Sequence, residues 1–465
     1  MTLVFCLLIF LPKILIGFAI IHGMWKDSDI PAIILKLAIG VPLGLALSTT
    51  MFFFTSLAGI RPQIYSQIEF WIVLSLIIFL IARTVSSLKN RHWKSLEYSW
   101  QDILGACIVI AGTALSIGAF LFYTNRHLYG FEDAWSIWNL TARFIYRTNS
   151  SNVLLDSQFY NRFHPDYPVE LSLSVAWGWL VLKSETPRLP IAVALLTTFT
   201  PAALVWATLR KWRGTIVAAL GALVLLMSTN LPSAVGQYAD ALLALHMLSA
   251  AALFYSYLCT SQRGLLILAG LLAGFSAWVK NEGLLFVCVF SVICLLATWK
   301  QVIHWRALRW LVIGITPPLL VVLAYKIIVN GQSDLFSGTI SFTTQIFDLS
   351  RWQIVGQDFI TYIIKYGNWP LSIVAMLLVY AMLMGGTREE TQHQIWLFLI
   401  FAGQLAGYFG IYLITPHDLQ WHIKTSVDRL ISHLYPLAIF WIFIALRSPD
   451  LSIGHNQSRK PEYPQ

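Results

Sequence analysis

The chain has 465 residues, of which 57% are hydrophobic and only 11% are charged. Soluble domains average roughly 25% charged residues, so this composition excludes a soluble enzyme, a disordered chain and a fibrous repeat. The 31 basic and 22 acidic residues give a net charge of +9. We interpret this excess as a topology signal, because Lys and Arg accumulate in short cytoplasmic loops. The basic residues are spread over many loops, so nucleic-acid binding is not expected.

Long apolar runs predict the membrane spans, because a helix must cross about 30 Å of hydrocarbon. The clear runs cover residues 3–22, 31–58, 69–88, 102–122, 189–208, 308–329 and 394–414. Shorter runs near 214–231, 241–259, 264–280, 283–299, 370–384 and 430–446 count as spans where their flanking charges alternate. The predicted fold is an all-α polytopic integral membrane protein of about thirteen transmembrane helices, with the N-terminus outside and the C-terminus inside.

Clusters of basic residues mark the loops that we expect to be cytoplasmic. They are Arg83, Lys89, Arg91 and Lys94, then Arg210, Lys211 and Arg213, then Lys300, Arg306 and Arg309. The run 169–182 lies between the first two clusters and is short for a span, so we expect it to stay outside as an interfacial or re-entrant helix. The predicted organisation is a three-span segment at 1–101, a transmembrane domain at 102–446 and a cytoplasmic tail at 447–465.

The segment 123–188 is the long exterior connection, and long loops in compact bundles are generally functional. Its apolar residues recur at helical spacing, which indicates an interfacial amphipathic helix. These residues are Trp135, Trp138, Ala142 and Ile145. Glu132 and Asp133 stand at the start of that helix. Either they cap it, because the helix dipole favours carboxylates there, or one of them is a general base above a lipid-borne substrate.

Further polar residues gather on the same predicted side. The prolines of His164-Pro-Asp-Tyr-Pro168 fix a turn that projects His164 and Asp166, either as a loop brace or as substrate contacts. Ionisable residues inside spans are nearly absent, and most lie near exterior span ends: Asp240, Lys280, Glu282, Lys326 and Asp418. A carrier of charged solutes would place such groups centrally. The pattern therefore predicts a site at the outer membrane–water boundary.

The order of span, exterior acidic pair, interfacial helix, His-Pro-x-Tyr-Pro turn and short helix resembles the opening of the GT-C glycosyltransferases. These polytopic enzymes use polyprenyl-phosphate sugars, and they include lipid A aminoarabinose transferases, protein O-mannosyltransferases and rhizobial lipopolysaccharide core transferases. Three later segments extend the resemblance through about residues 104–446: Gln237-Tyr-Ala-Asp240, Val279-Lys-Asn-Glu-Gly283, and Trp421 to Arg429 with Pro436. The family's acidic pair reads Asp-Glu, whereas this chain has Glu132-Asp133, and the first three spans have no counterpart.

The resemblance implies a GT-C-like catalytic domain at 102–446 in a bacterial inner membrane, with its site facing the periplasm. Its donor would be a polyprenyl-phosphate sugar, and its acceptor the hydroxyl of a lipid, glycan or protein embedded among membrane lipids. Asp133 would be the base, with Glu132 positioning it or itself serving as the base. The implied substrate contacts are His164, Asp166, Asp240, Lys280, Glu282, His422 and Arg429.

Simpler roles are open for several of these residues. Arg429 could pair with Asp428 or anchor its helix at the headgroups, and Lys280 could pair with Glu282. No cofactor is certain from the sequence. His417-x4-His422 lacks a third ligand, so zinc is not expected, and a divalent metal is possible but has no support in the residues. Two other functions compete with a glycosyltransferase, namely an O-antigen ligase or polymerase and a lipid or solute transporter.

Overall fold

The computed structural model describes residues 2–88, 99–155, 164, 166–229, 231–329, 345–368, 372–386 and 391–448. Within these ranges every regular element is a helix, as the hydrophobic composition predicts. The α-helices are α1 (Leu3–Leu8), α2 (Leu11–Met24), α3 (Ile30–Leu57), α4 (Pro62–Leu88), α5 (Trp100–Thr124), α6 (Asn139–Thr148), α7 (Glu170–Leu182), α8 (Arg188–Trp212), α9 (Thr215–Met227), α10 (Leu231–Val235), α11 (Asp240–Thr260), α12 (Arg263–Val279), α13 (Glu282–Trp299), α14 (Leu308–Val329), α15 (Leu349–Lys365), α16 (Ile373–Met384), α17 (Thr391–Ile414) and α18 (Leu419–Ala445).

Nine helical segments of the described ranges are long and apolar enough to cross a membrane. They are Leu3–Met24, Ile30–Leu57, Trp100–Thr124, Arg188–Trp212, Asp240–Thr260, Glu282–Trp299, Trp305–Val329, His393–Ile414 and Leu419–Ala445. The chain is therefore a polytopic helical membrane protein. Shorter apolar helices occupy Ile64–Leu76, Glu170–Leu182, Thr215–Met227, Arg263–Val279 and Ile373–Met384. The total of about thirteen spans stays a prediction.

The last span is longer than the sequence predicts. The sequence predicts a short span near 430–446, but α18 begins at Leu419 and continues to Ala445. Asp418 caps it, because its Oδ1 accepts a hydrogen bond of 2.8 Å from the backbone N–H of Trp421. The first three turns of this helix are rich in polar residues, so their sequence resembles that of a loop. They place Arg429 inside the bundle.

The two ends of the bundle have different contacts. At the end that we call the basic end, Arg210 lies 2.9 Å from Asp102, and Lys211 lies 2.8 Å from Asp27 and 2.7 Å from Asp29. At the opposite end, which we call the loop end, Asp133 pairs with Arg429 of α18, and Asp166 accepts a hydrogen bond from Asn281 between α12 and α13. Lys89, Arg91, Lys94, residues 330–344 and residues 449–465 lie outside the described residues.

We expect the loop end and the basic end to lie on opposite sides of the membrane. Cysteines introduced beside Asp133, Asp240 and Asp428 should react with an impermeant reagent from one side, and cysteines beside Lys211 and Arg306 from the other. The measurement uses a background without native cysteines, labelled in sealed vesicles of known orientation. Labelling beside Lys211 from the same side as Asp133 would contradict the arrangement.

The expectation that ionisable residues are nearly absent from the spans is wrong. Lys13 and Lys36 are fully buried inside α2 and α3, and the pair Glu170 and His246 is fully buried between α7 and α11. These charges are tolerated because they are paired or hydrogen-bonded. Lys13 Nζ lies 3.0 Å from Glu69 Oε1, and Lys36 Nζ donates to two backbone carbonyl oxygens.

The first three helices pack against the rest of the chain. Lys13 Nζ lies 3.4 Å from the centroid of the Trp177 ring on α7, and the backbone N–H of Ser151 donates to Ser56 Oγ at 2.7 Å. A cation over an indole face that is shielded from water is a strong contact of its kind. The segment 1–101 therefore supports the same loop-end structures that carry the predicted site.

The run at 169–182 forms α7, whose residues Glu170 to Leu180 are all buried. It packs against α3, α6 and α8. A helix lying on the lipid surface would expose one polar face, and α7 exposes none. Whether α7 is interfacial or re-entrant stays a prediction.

The predicted amphipathic helix begins with a π-helical turn at Ala134–Trp138 and continues as α6. Trp138, Ala142 and Ile145 are buried, but Trp135 is 54% exposed. A π turn holds more residues than an α turn, so it rotates Trp135 away from the face to which simple helical spacing assigns it. Such turns are frequent at functional sites.

Candidate functional site

Asp240 is the centre of a buried ionic network at the loop end. It is the first residue of α11 and is 1% exposed. Its Oδ1 lies 2.8 Å from Lys280 Nζ and 2.6 Å from His433 Nε2, and its Oδ2 lies 2.9 Å from Arg429 Nε. A buried carboxylate requires such partners, because an unpaired charge is costly in a medium of low dielectric constant.

The outer part of the network joins Arg429 to Asp133, whose Oδ2 lies 2.6 Å from the Arg429 guanidinium. Asp133 makes no capping hydrogen bond to its own helix, so helix capping does not account for it. Arg429 pairs with Asp133 and Asp240 and not with Asp428. The Asp133 side chain is 23% exposed, so it lies at the solvent-accessible edge of the network.

Glu132 differs from its neighbour in environment. Its side chain is exposed, and within the described part of the chain it makes no hydrogen bond or ion pair. Tyr238, whose ring centroid lies 4.7 Å from the Arg429 guanidinium, has its pKa raised to about 12 by burial and by the negative charge of Asp133. The structure thus connects Asp133 to the network and leaves Glu132 at its edge.

The inner part of the network contains Lys280 and Glu282, which flank the connection between α12 and α13. Lys280 Nζ lies 2.8 Å from Glu282 Oε1 as well as from Asp240, so the simple pairing with Glu282 is present together with a second partner. Burial alone would lower the pKa of Lys280, but attraction to Asp240 and Glu282 outweighs it and raises that pKa. Among the described residues, Glu282 Oε2 has no hydrogen-bond partner although it is buried.

Sequence reasoning missed two members of the network, His433 and Tyr408. His433 Nδ1 lies 3.0 Å from the Tyr408 hydroxyl, while its Nε2 faces Asp240. The usable signal was spacing, because His433 follows Arg429 by four residues and therefore shares its helix face. A histidine inside the apolar run near 430–446 was easily taken for a packing residue.

The network is already close to neutral. Arg429 and Lys280 supply two positive charges, and each contacts two of the three carboxylates, Asp133, Asp240 and Glu282. An incoming anion must therefore displace a carboxylate from one of the cations. The most exposed of the three is Asp133, so displacement there requires the least rearrangement.

The turn that carries Asp166 is braced next to the network. Asp166 Oδ2 accepts a hydrogen bond of 2.6 Å from Asn281 Nδ2, and Lys326 Nζ lies 2.8 Å from Asn281 Oδ1. His164 has a φ of 46° and stacks on Tyr167 with ring centroids 4.7 Å apart. Asp166 therefore fixes the loop to the connection that holds Lys280 and Glu282, while His164 is exposed at the surface. Residue 165 lies outside the described residues.

His422 does not join these side chains. Its Nδ1 lies 2.8 Å from Thr415 Oγ1, and its ring centroid lies 5.6 Å from that of His417. Within the described ranges, no group of three His, Cys, Asp or Glu side chains could hold a metal ion. The two histidines therefore contact each other in and beside the connection between α17 and α18.

A mostly apolar pocket opens beside Asp240 between α8, α9, α11 and α18, with about 580 Å³ of empty space, part of which is open to solvent. Its walls include Leu226, Ala244 and Tyr435, and the Tyr435 ring stacks on Tyr366 with centroids 4.1 Å apart. Thr197, Thr229 and Ser432 also line it, so its surface is mostly apolar with some hydroxyl-bearing residues.

Comparison with known proteins gives no relative for this arrangement: no family model matches the chain, and no curated protein or solved structure shows detectable similarity to it.

Proposed function

We propose that the chain is a membrane glycosyltransferase that moves a sugar from a polyprenyl phosphate to an acceptor hydroxyl. The observation that carries the proposal is the link from Asp133 through Arg429 to the buried Asp240 and Lys280. It brings together the three segments on which the GT-C resemblance rests. It also gives a partly exposed carboxylate a rigid cationic neighbour, as a general base beside an anionic leaving group requires.

The charge balance suggests how the site would work. The donor phosphate displaces Asp133 from Arg429 and takes its place, since both are anions that suit a planar guanidinium. Asp133 is thereby released towards the acceptor. The acceptor oxygen then attacks the anomeric carbon and its proton passes to Asp133, while the bond from that carbon to the phosphate oxygen breaks and its electron pair stays on the phosphate. Arg429 and Lys280 stabilise the charge that develops there.

The mostly apolar pocket supports the same substrate class. Most of its lining surface is apolar and Asp240 is one of its lining residues, so the first isoprenoid units of a donor would lie there with the phosphate at Arg429. We place this chemistry at the outer face of a bacterial inner membrane, in a GT-C-like bundle of about thirteen spans.

The function is tested by transfer from a panel of radiolabelled polyprenyl-phosphate sugars in membranes that contain the protein. Transfer by the wild type that is lost in Asp133→Asn supports the proposal. Folded wild-type protein that transfers from no donor would refute it.

Neutral replacement of the two cations should weaken catalysis if they hold the phosphate. We expect Arg429→Gln and Lys280→Gln each to cost about 1.5–3 kcal/mol of transition-state binding, as for charge-assisted hydrogen bonds. Arg429→Lys should rescue only part of this, because a point charge replaces a planar fork. Values of kcat/KM give the comparison, and the exposed Lys424→Gln on the same helix is the matched control. Unchanged kinetics in both neutral variants would leave the two cations as structural anchors.

One observation favours a second function, a proton-coupled carrier. Glu170 Oε1 lies 3.1 Å from His246 Nε2 inside the bundle, and ionisable pairs at such depth are typical of transporters. Proton flux in reconstituted vesicles that disappears in His246→Asn would support the carrier. Sugar transfer without such flux would support the enzyme.

A further inference from the structure

A second pocket lies at the loop end, on the segment between α5 and α8. It contains about 290 Å³ of empty space and is lined by Trp135, Asn139 and Arg143 from one helical ridge. The opposing wall includes Glu185, from the connection between α7 and α8, and Gln237, from the connection between α10 and α11. Part of that space is open to solvent, so a ligand ring would lie across the mouth of the pocket, between its rim residues.

The polar groups of this pocket are planar and held in place. Asn139 Nδ2 donates to Gln237 Oε1 at 2.8 Å, and Gln237 Nε2 donates to the Leu128 carbonyl oxygen at 3.1 Å. Both amides are buried, at 5% and 3% exposed. Gln237 has a φ of 59°, a conformation that few non-glycine residues adopt. The amide pair is thus a rigid floor that presents polar edges.

The charges at the rim are already paired with each other. Arg143 forms an ion pair with Glu185, and Arg147 Nε lies 3.0 Å from the other carboxylate oxygen of Glu185. A charged ligand would have to break these pairs. The pocket therefore favours a neutral ligand that exchanges hydrogen bonds with guanidinium, carboxylate and amide edges.

Two aromatic rings border the pocket with much of their surface in contact with solvent. Trp135 is 54% exposed and Tyr129 is 61% exposed, whereas Trp179 at the back of the pocket is 1% exposed. The π turn is what rotates Trp135 outward to this position. Exposed aromatic side chains provide large apolar faces at low cost in conformational entropy.

We propose that this pocket binds a neutral sugar ring of the acceptor. A pyranose has apolar C–H faces that suit Trp135 and vicinal hydroxyls that suit the planar groups around it, and it carries no charge. Trp135 follows Asp133 by two residues, and Gln237 precedes Asp240 by three, so the pocket and the ionic network share the same two segments. The acceptor is then a glycan or glycolipid. This inference rests on the proposed glycosyltransferase function and specifies its acceptor.

Binding is measured without catalysis, by titrating neutral methyl glycosides and short oligosaccharides into the full-length protein and following tryptophan fluorescence. We expect Trp135→Ala and Asn139→Ala to lower the affinity about tenfold or more. Trp299→Ala, which removes an exposed tryptophan from the end of α13, is the matched control and should bind like the wild type. Asp133→Asn should also keep sugar binding.

The outcomes separate this inference from the proposed function. A raised KM for the acceptor in Trp135→Ala, with the donor KM unchanged, supports both. Saccharide binding that depends on Trp135 in a protein that transfers no sugar would retain the pocket and overturn the glycosyltransferase. Sugar transfer with an acceptor KM that is the same in Trp135→Ala and Trp299→Ala would overturn the pocket and retain the enzyme. Absence of saccharide binding by the wild type would also overturn it.

Discussion

Replacement of Asp133 by Asn is expected to lower sugar transfer by about 10²–10⁴-fold, the usual loss when a general base is removed. The amide has nearly the same shape and can still accept a hydrogen bond from Arg429, which lies 2.6 Å from the carboxylate in the wild type. It cannot take a proton from the acceptor. Donor binding should be retained or improved, because the donor phosphate no longer competes with a carboxylate for the guanidinium. The measurement is single-turnover transfer together with donor binding to the same membranes.

Glu132→Gln is the comparison that makes this result specific. It removes the same charge one residue earlier, from an exposed side chain that lies outside the ionic network. We expect the Asp133 variant to be the more damaging of the two. The reverse order would assign the base to Glu132. If both variants keep more than about a tenth of wild-type turnover, well above the general-base expectation, neither carboxylate is the base and the mechanism is wrong.

The helical architecture could be predicted from the sequence, because a hydrocarbon thickness of about 30 Å fixes both the length and the composition of a span. The nine long helices of the described ranges follow from that constraint. The start of α18 could not be predicted in this way, because Lys424, Asp428 and Arg429 give its first turns the composition of a loop. Such turns are stable as a helix only because the ionic network and the cap at Asp418 satisfy them.

The membership of the site was partly predictable. Charged residues near span ends stand out in an apolar chain, and this is how Asp133, Asp240, Lys280 and Arg429 were found. Their pairing was not predictable, because Arg429 and Asp240 are separated by 189 residues. The pair of Glu170 and His246 was missed for the same reason, since each is a single polar residue in an apolar run until α7 and α11 pack together.

The orientation of Trp135 shows a different limit. Helical periodicity assumes a constant rotation per residue. The π turn at Ala134–Trp138 has a different rotation per residue, and within it the Trp135 indole is exposed. Hydrophobic spacing therefore predicted the buried face of α6 and assigned Trp135 to the wrong face. The proposed acceptor pocket exists because of this local departure.

The largest expected effect on stability follows from loss of the Asp240 charge. Asp240→Asn leaves Lys280, Arg429 and His433 facing a neutral amide in a buried site. Breaking a buried ion pair by removing one partner costs about 3–5 kcal/mol, because the remaining charge is left uncompensated. Whole domains have only about 5–15 kcal/mol of stability, so the variant should unfold at markedly lower temperature and give little folded protein. Thermal unfolding in detergent or lipid nanodiscs measures the change.

A second substitution distinguishes the effect of the lost charge from the effect of altered hydrogen-bond geometry at Asp240. In Asp240→Asn combined with Lys280→Gln, the network loses one negative and one positive charge, leaving Arg429 with Asp133 and Glu282 without its lysine. We expect this double variant to recover part of the stability, since removing both members of a buried pair costs much less than removing one. It should not recover transfer, because the phosphate would lack Lys280. A double variant no more stable than Asp240→Asn would mean that the hydrogen-bond geometry at Asp240, and not its charge, holds the loop end of α11 to α18.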